Sequence, residues 1–597
     1  MIGSLEIAQT DSGTVTRRLQ RRMLIARAAA YTPALSCCVI YLLCVLIARP
    51  FANIGFIDDW SYSDVALRFA QTGHIHYNGW GSPMLLFQAV WGAAWIRIFG
   101  FSFDILRAAT LPFSTGFVLL VYALGRRVGL TRTFASFGAI AAGTSPLFLP
   151  LSASFMTDVY GCFFSTLCIY AAIAFLEAQS TRAAQVWLIV LTVAGIVGGS
   201  DRQTVWAAPL TVIPYIAFAR RRNPRLLRAS LIALCVCVAS LVFLITHFHT
   251  PYAVYEFSAA GALNLMLENG PYALRGLAAL SLTTALMVSP ALFCFARFWG
   301  RLGGAQVLLV FLGCFLFVIS CVLVVGQLGA VPFAVGLLSH FGVLSVGVEL
   351  LGRRPPALSI PIRIGLSVLV EFGALAYWLL NRGLVQRTSQ GLKVETRNTF
   401  LLFSVAYTLL LIPGSFAGIT YDRYALPVMP LLIVCVLCRF QSRADKVPIA
   451  AWVCLVAFAA YAVAITHDYF ETSRARVEAA HFLELRDIPR SLISAGLEYD
   501  GWTQLQFANQ IPGVRYGDRV VWNTSNKYWF WNYTNALTPK YVVSYISELH
   551  SPGTSKVVGY EAWLPPHQRF VGVYRIEDLP RRKLCYGFLE PCSDEAP

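Results

Sequence analysis

Two acidic residues stand side by side in "GFIDDWSYSD", where Asp58 and Asp59 follow directly on an apolar run over 31–49. Adjacent carboxylates near low-dielectric lipid repel each other, which raises one of them toward a more basic carboxylate. Such a group can act as a general base when an acceptor proton lies within hydrogen-bond reach. A plainer role is open to the same stretch, because Asp59 or Ser61 can cap the helix that follows and favour its dipole. Other polar residues interrupt apolar surroundings: Asp158 in "SPLFLPLSASFMTDVYG", Arg202 in "GGSDRQ", Arg423 in "DRYALPVMPLL", and Tyr252, Tyr255 and Glu256 in "HFHTPYAVYEFSAAG". Each has its own bland reading, Asp158 as a turn acid, Arg202 as an interfacial anchor or partner of Asp201, Arg423 as partner of Asp422.

The elements that position these residues are apolar helices. The chain has 597 residues, 57% hydrophobic and 13% charged, with a mean hydropathy of +0.61. A soluble protein carries roughly twice that charged fraction. Repeated apolar runs of about 17–25 residues match about 30 Å of hydrocarbon, so the sequence predicts an all-α polytopic membrane protein. The net charge of +16 does not imply nucleic acid, because the arginines cluster between apolar runs, as at Arg17, Arg18, Arg21, Arg22, Arg126, Arg127 and Arg220–Arg222. Cytoplasmic loops look like this under the positive-inside rule.

That rule places residues 1–30 inside and makes 31–49 the first span. The run 83–99 is short and carries Arg97, so it reads as a surface or re-entrant segment. Spans near 109–125, 134–150, 160–176, 184–200, 204–219 and 229–247 then put the Arg220 cluster inside. They put 50–108, the Asp158 turn, the turn at 198–203 and the loop 247–275 outside, so the polar interruptions fall on one face. In the second half, apolar runs lie near 276–296, 305–326, 331–351, 362–381, 400–418, 424–439 and 449–466. Basic groups at Arg353–Arg354 and at Arg382–Arg397 flank one run, so one run between 327 and 398 fails to span, leaving about 13 transmembrane helices. From 467 to 597 an amphipathic stretch (471–487) and β-rich runs at 519–523, 541–546, 556–563 and 570–576 predict a small α/β domain on the outer side. Cys585 and Cys592 are the one cysteine pair placed to form a disulfide there.

Within the first outer loop, Tyr62, Val65, Ala66 and Phe69 recur at i, i+3, i+4 and i+7. They make an apolar stripe on a helix lying in the interface plane, with Asp64, Arg68 and Gln71 mostly elsewhere on its circumference. "DDWSYSDVALRFAQTGHI", then "WGSPMLLF" and "FGFSFDILRA", resembles the first extracytoplasmic loop of GT-C fold glycosyltransferases of the protein O-mannosyltransferase and lipid A aminoarabinose-transferase superfamily. Asp59 stands where the group carries Glu, and Trp80-Gly-Ser-Pro where Lys-Pro-Pro is common. The stretches 145–161, 195–210 and 422–432 are similar to later motifs of the same group, in the same order, so that the resemblance covers about 50–440.

The resemblance implies an inverting transfer of a sugar from a polyprenyl-phosphate donor to a protein, lipid or glycan acceptor. It assigns the base role to Asp58, with Asp59 orienting the acceptor or helping to hold a cation. Arg202 and Arg423 are the expected partners of the leaving phosphate, whose oxygens suit the guanidinium fork. Asp158 matches an acidic position of the group, and Tyr252, Tyr255 and Glu256 lie in the loop that covers the substrates. No cofactor is required by the sequence and a divalent metal is admissible. A bacterial inner membrane, with the reaction on the periplasmic side, is the expected setting. Two rivals are a transporter or lipid flippase, which would use intramembrane charges and internal repeats, and a lipid-linked oligosaccharide ligase or polymerase.

Overall fold

The computed structural model describes residues 31–80, 84–248, 259–325, 333, 336–344, 350–352, 356–382, 392–416, 420–515, 534–545 and 554–578. Tyr252, Tyr255, Glu256, the expected strand at 519–523, Cys585 and Cys592 lie outside the described residues. The described residues begin with α1 (Tyr31–Ile47). Next come α2 (Asp59–Thr72), α3 (Leu86–Phe99), α4 (Phe103–Arg127), α5 (Arg132–Gly143), the short α6 (Phe148–Ser152), α7 (Thr157–Glu177), α8 (Thr181–Gly199), α9 (Ala207–Ala219) and α10 (Pro224–Phe248). The second half contributes α11 (Ala259–Leu292), α12 (Gly304–Val325), α13 (Ile360–Arg382), α14 (Val394–Phe416), α15 (Met429–Gln441), α16 (Ile449–Glu484) and α17 (Leu497–Gln506).

Among the described residues, eight helices are long and apolar enough to cross a membrane. Their outward faces carry exposed Ile232, Ile362, Leu409 and Val453, a surface that water would not tolerate and lipid does. The chain is a polytopic helical membrane protein. At 14 residues, α3 spans only about 21 Å at 1.5 Å per residue, short of the hydrocarbon thickness. It packs beside α2, and at Gly92 any Cβ would fall 2.6 Å from the Phe155 ring.

Charge separates the two ends of the bundle. At one end Glu177 meets Arg127 at 3.4 Å and Lys393 at 2.9 Å, and Arg443 reaches the Leu380 carbonyl and Asn381. At the other end lie the starts of α2 and α7, the end of α8 and the turn before α15. The run 331–351, one of the expected spans, is not a helix in its described part. Residues 336–344 form a hairpin of β1 (Leu338–Ser339) and β2 (Gly342–Val343), and β3 (Leu351–Gly352) joins a sheet of the C-terminal region. In the described part of this run Leu337, Leu338 and Val343 are buried by protein.

The C-terminal region continues directly from the last span. α16 has 36 residues, about 54 Å, and passes through position 467 without a break, so the expected domain boundary falls inside one helix. Its outer half packs Ala475, Ala479 and Leu483 against a sheet made by β4 (Ile493–Ser494), β5 (Tyr541–Tyr545), β6 (Thr554–Glu561) and β7 (Gln568–Arg575). β5 is central, antiparallel to β7 with Val543 opposite Val573, and β7 is antiparallel to β6 with Val571 opposite Val558. Asp468 rivets helix to sheet, accepting from the Trp563 and Leu564 amides at 2.7 and 3.0 Å.

The stripe on α2 is buried as its spacing requires, at Tyr62, Val65 and Ala66, but so is the polar side. Asp64 is 0% and Arg68 5% exposed. The end of α17 covers that side, where Gln506 Nε2 donates to Asp64 Oδ1 at 2.5 Å. α2 is thus enclosed by protein and does not float open at the interface.

Candidate active site

The two adjacent acids part company at the start of α2. Successive helical residues point about 100° apart, so neighbours at a helix start cannot face one cavity. Asp59 turns inward, where its oxygens accept from the backbone amides of Phe56 and, at 3.2 Å, Phe155. Burial raises its carboxyl to about 7, against the pull of Arg107 and of those amides. Asp59 ties the first loop to the segment that leads into α7. Both of its oxygens are engaged by backbone amides in this arrangement.

Asp58 turns the other way. It is the N-cap residue of α2 without making a side-chain cap bond, and the preceding Ile57 takes φ +57, a conformation that a β-branched residue seldom adopts. Its Oδ1 accepts from the Trp80 indole Nε1 at 3.0 Å, and its Oδ2 lies 3.6 Å from the Arg423 guanidinium. Burial raises the Asp58 carboxyl above its usual range, while Arg423 and the Trp80 hydrogen bond pull it back down.

Asp158, in the first turn of α7, forms an ion pair with Arg202 at 2.9 Å, and Arg202 also donates to Thr157 Oγ1 at 2.9 Å. Gly161, one turn further on, gives Arg202 its channel, since a Cβ there would fall 2.5 Å from the arginine Cδ. The guanidinium stands 5.7 Å from the Tyr424 ring centre. Burial works against the charge on Arg202, and Asp158 outweighs it, holding the arginine charged. Asp201, the other acid of this turn, is 0% exposed, and burial raises it to about 8.

Arg423 comes from a short turn at Asp422–Ala425 before α15. Asp422 fixes that turn by accepting from the amides of Leu337, Leu338 and Arg423 at 2.8, 2.6 and 2.7 Å. Gly336 makes room for the clamp, with φ +144 and a carboxylate oxygen 2.5 Å from where a Cβ would stand. Burial opposes the charge of Arg423, but Asp158 and Asp58 together hold it well charged.

Asp158, Arg202 and Arg423 line one cavity of about 190 Å³, together with Tyr62, Thr157 and Tyr424. Asp58 does not line the cavity itself but meets its Arg423 at 3.6 Å. Gln203 and Leu410 belong both to this cavity and to a neighbouring apolar groove of about 600 Å³, which is otherwise walled by residues such as Trp206, Leu210, Leu241 and Leu409. The structure thus brings together Asp58, Asp158, Arg202 and Arg423, which the sequence separates by up to 365 positions. Sequence reasoning missed Gly161 and Thr157, whose only signal is their place around Asp158, and Trp80, which shows in the sequence only as a departure from a motif. Among the described residues no group of three or more His, Cys, Asp or Glu side chains could hold a metal ion.

No family model and no curated protein matches this chain. Solved structures to which it is similar include the S. cerevisiae protein O-mannosyltransferase Pmt1-Pmt2 complex bound to the sugar donor, at 14% identity and TM-score 0.32, with 39% of this chain and only 35% of that chain covered. ArnT from Cupriavidus metallidurans bound to undecaprenyl phosphate is similar at 11% identity and TM-score 0.36, covering 89% of this chain and 97% of that chain. The Archaeoglobus fulgidus oligosaccharyltransferase in complex with Zn and sulfate is similar at 14% identity and TM-score 0.43, covering 85% and 68%. At these identities and TM-scores the functional reading rests on the site's own geometry.

Proposed function

We propose that the protein transfers a sugar from a polyprenyl-phosphate-linked donor to an acceptor hydroxyl or amine at the outer face of the membrane. One observation carries the reading: two part-buried arginines line a polar cavity that shares Gln203 and Leu410 with an apolar groove, and the Asp58 carboxylate lies 3.6 Å from one of them. A phosphate ester with a long apolar tail fits that combination, head in the cavity and tail in the groove. Guanidinium groups give charge-assisted hydrogen bonds to phosphate oxygens, and their fixed position stabilises charge that develops as the leaving group departs.

In the proposed reaction the acceptor proton passes to Asp58. The acceptor atom forms its bond to the anomeric carbon on the face opposite the phosphate. The bond from that carbon to the phosphate oxygen breaks, and its electron pair leaves with the polyprenyl phosphate, which Arg202 and Arg423 receive. A donor phosphate that draws Arg423 weakens its 3.6 Å pairing with Asp58, leaving the carboxylate more basic when the acceptor is present. Asp158 holds Arg202 charged and aimed. Tyr252, Tyr255 and Glu256 are proposed to cover the bound substrates.

Native mass spectrometry of the full chain with undecaprenyl phosphate, and with undecaprenol as the neutral control, tests the donor site. The expected result is retention of the phosphate only, lost in Arg202→Ala and in Arg423→Ala. Equal retention of both lipids, or binding indifferent to both substitutions, would overturn the assignment.

A further inference from the structure

The residues that support Asp58 lead in an unbroken line to the C-terminal region. Gln506, the last residue of α17, donates to Asp64 Oδ1 at 2.5 Å, and Asn78 Nδ2 donates to Asp64 Oδ2 at 3.0 Å. Asn78 is 3% exposed and fully engaged: its Nδ2 also reaches the Ser61 carbonyl, while its Oδ1 accepts from Ser61 Oγ at 2.8 Å and from the Trp80 amide at 3.2 Å. The Trp80 indole then donates to Asp58. Packing follows the same line. Trp80 lies 5.6 Å from the Trp60 ring, and Trp60 rests on α17 at Gly501, where a Cβ would come within 2.8 Å of it.

We infer that Trp80 is a positioning residue for Asp58, set in place by Asn78 and Asp64, and that α17 of the C-terminal region belongs to this support through Gln506. An indole N–H is a donor only, so Trp80 can hold Asp58 solely as an acceptor and favours its ionised form. Without it, one carboxylate oxygen is left inside the protein with no donor of this kind, which costs more than the bond itself contributes. The groups that face Asp58 from other elements are Arg423 and Tyr424 before α15 and Asp158 at the start of α7. Tyr62 lies on its own helix. None of these is altered by a substitution at Trp80 or Gln506. The inference deepens the proposed function, since it rests on Asp58 as the base.

Infrared difference titration of the full chain in nanodiscs tests it, with the Asp58 carboxyl band identified by its loss in Asp58→Asn. Trp80→Phe keeps an aromatic ring and removes the donor, and should move the Asp58 midpoint to higher pH. Gln506→Leu, which leaves Trp80 itself intact, should move it in the same direction by less. An unchanged midpoint in Trp80→Phe would overturn the positioning role. A shift in Trp80→Phe with none in Gln506→Leu would overturn the part assigned to α17. Should Trp80→Phe fail to fold, Asn78→Leu, which frees the Trp80 amide, takes its place under the same two outcomes. The band reports Asp58 whether or not a sugar is transferred, so failure here is distinguishable from failure of the glycosyltransferase reading.

Discussion

At the scale of single residues, the account separates two neighbours that look alike. Asp58 faces Arg423 and Trp80, while Asp59 is closed off by the amides of Phe56 and Phe155. Asp58→Asn should therefore keep its fold and lose transfer by about 10²–10⁴-fold, the usual worth of a positioned base, as read in a transfer assay beside a melting curve. Asp59→Ala should do the reverse in emphasis, lowering stability by about 1–3 kcal/mol because two buried amides lose their acceptor, with the melting curve as the measure. For Asp58 the pH dependence has a definite sign. Burial raises its carboxyl, so transfer should be lost on the acid side at a pH above the ordinary carboxylate range. The types at 58, 158, 202 and 423 were legible in the sequence because charge is rare among apolar runs. The direction in which Asp59 points was not, because it depends on an amide 96 positions away.

At the scale of elements, the site is an assembly of helix ends and the turns beside them. α7 presents Asp158 and, one turn on, Gly161 as the channel for Arg202. Gly161→Ala adds one methyl where the arginine Cδ stands at 2.5 Å, so the guanidinium must shift away from Asp158. Undecaprenyl phosphate should then bind several-fold more weakly, about 1 kcal/mol or more by the ordinary relation of affinity to free energy. Titration of the lipid against the purified chain checks this. Hydrophobic runs form the long apolar helices α4, α7, α8, α10, α13, α14 and α16, whereas the expected span 134–150 divides into α5 and the short α6. At 331–351 hydropathy could not tell burial under protein from burial in lipid, and β1, β2 and β3 took the place of a span. α2 shows the same limit. Its stripe was legible, yet the cover over Asp64 and Arg68 comes from Gln506, more than 430 positions later, which no local period reveals.

At the scale of the whole molecule, the polar cavity and the basic clusters occupy opposite ends of one helical bundle. A membrane-impermeant thiol reagent applied to intact cells should label a cysteine placed at His74 and spare one placed at Arg221, both exposed positions. The cavity end also concentrates carboxyls whose pKa burial has raised, with Asp59, Asp422 and Asp500 each pushed up to about 7. The folded chain therefore holds protons that the unfolded chain, near 3.9, has released. Stability from these groups is greatest on the acid side and falls as pH rises toward about 7, so the melting temperature should decline between about pH 5 and about pH 7 and then level off. Thermal melts across that range check the sign. The most direct test of the central claim is mass spectrometry of lipid extracts and envelope glycans from cells carrying either the unaltered protein or Asp58→Asn. The account predicts that a polyprenyl-phosphate-linked sugar accumulates in the variant while the same sugar disappears from an envelope acceptor. Identical lipids and identical glycans in the two strains would contradict it.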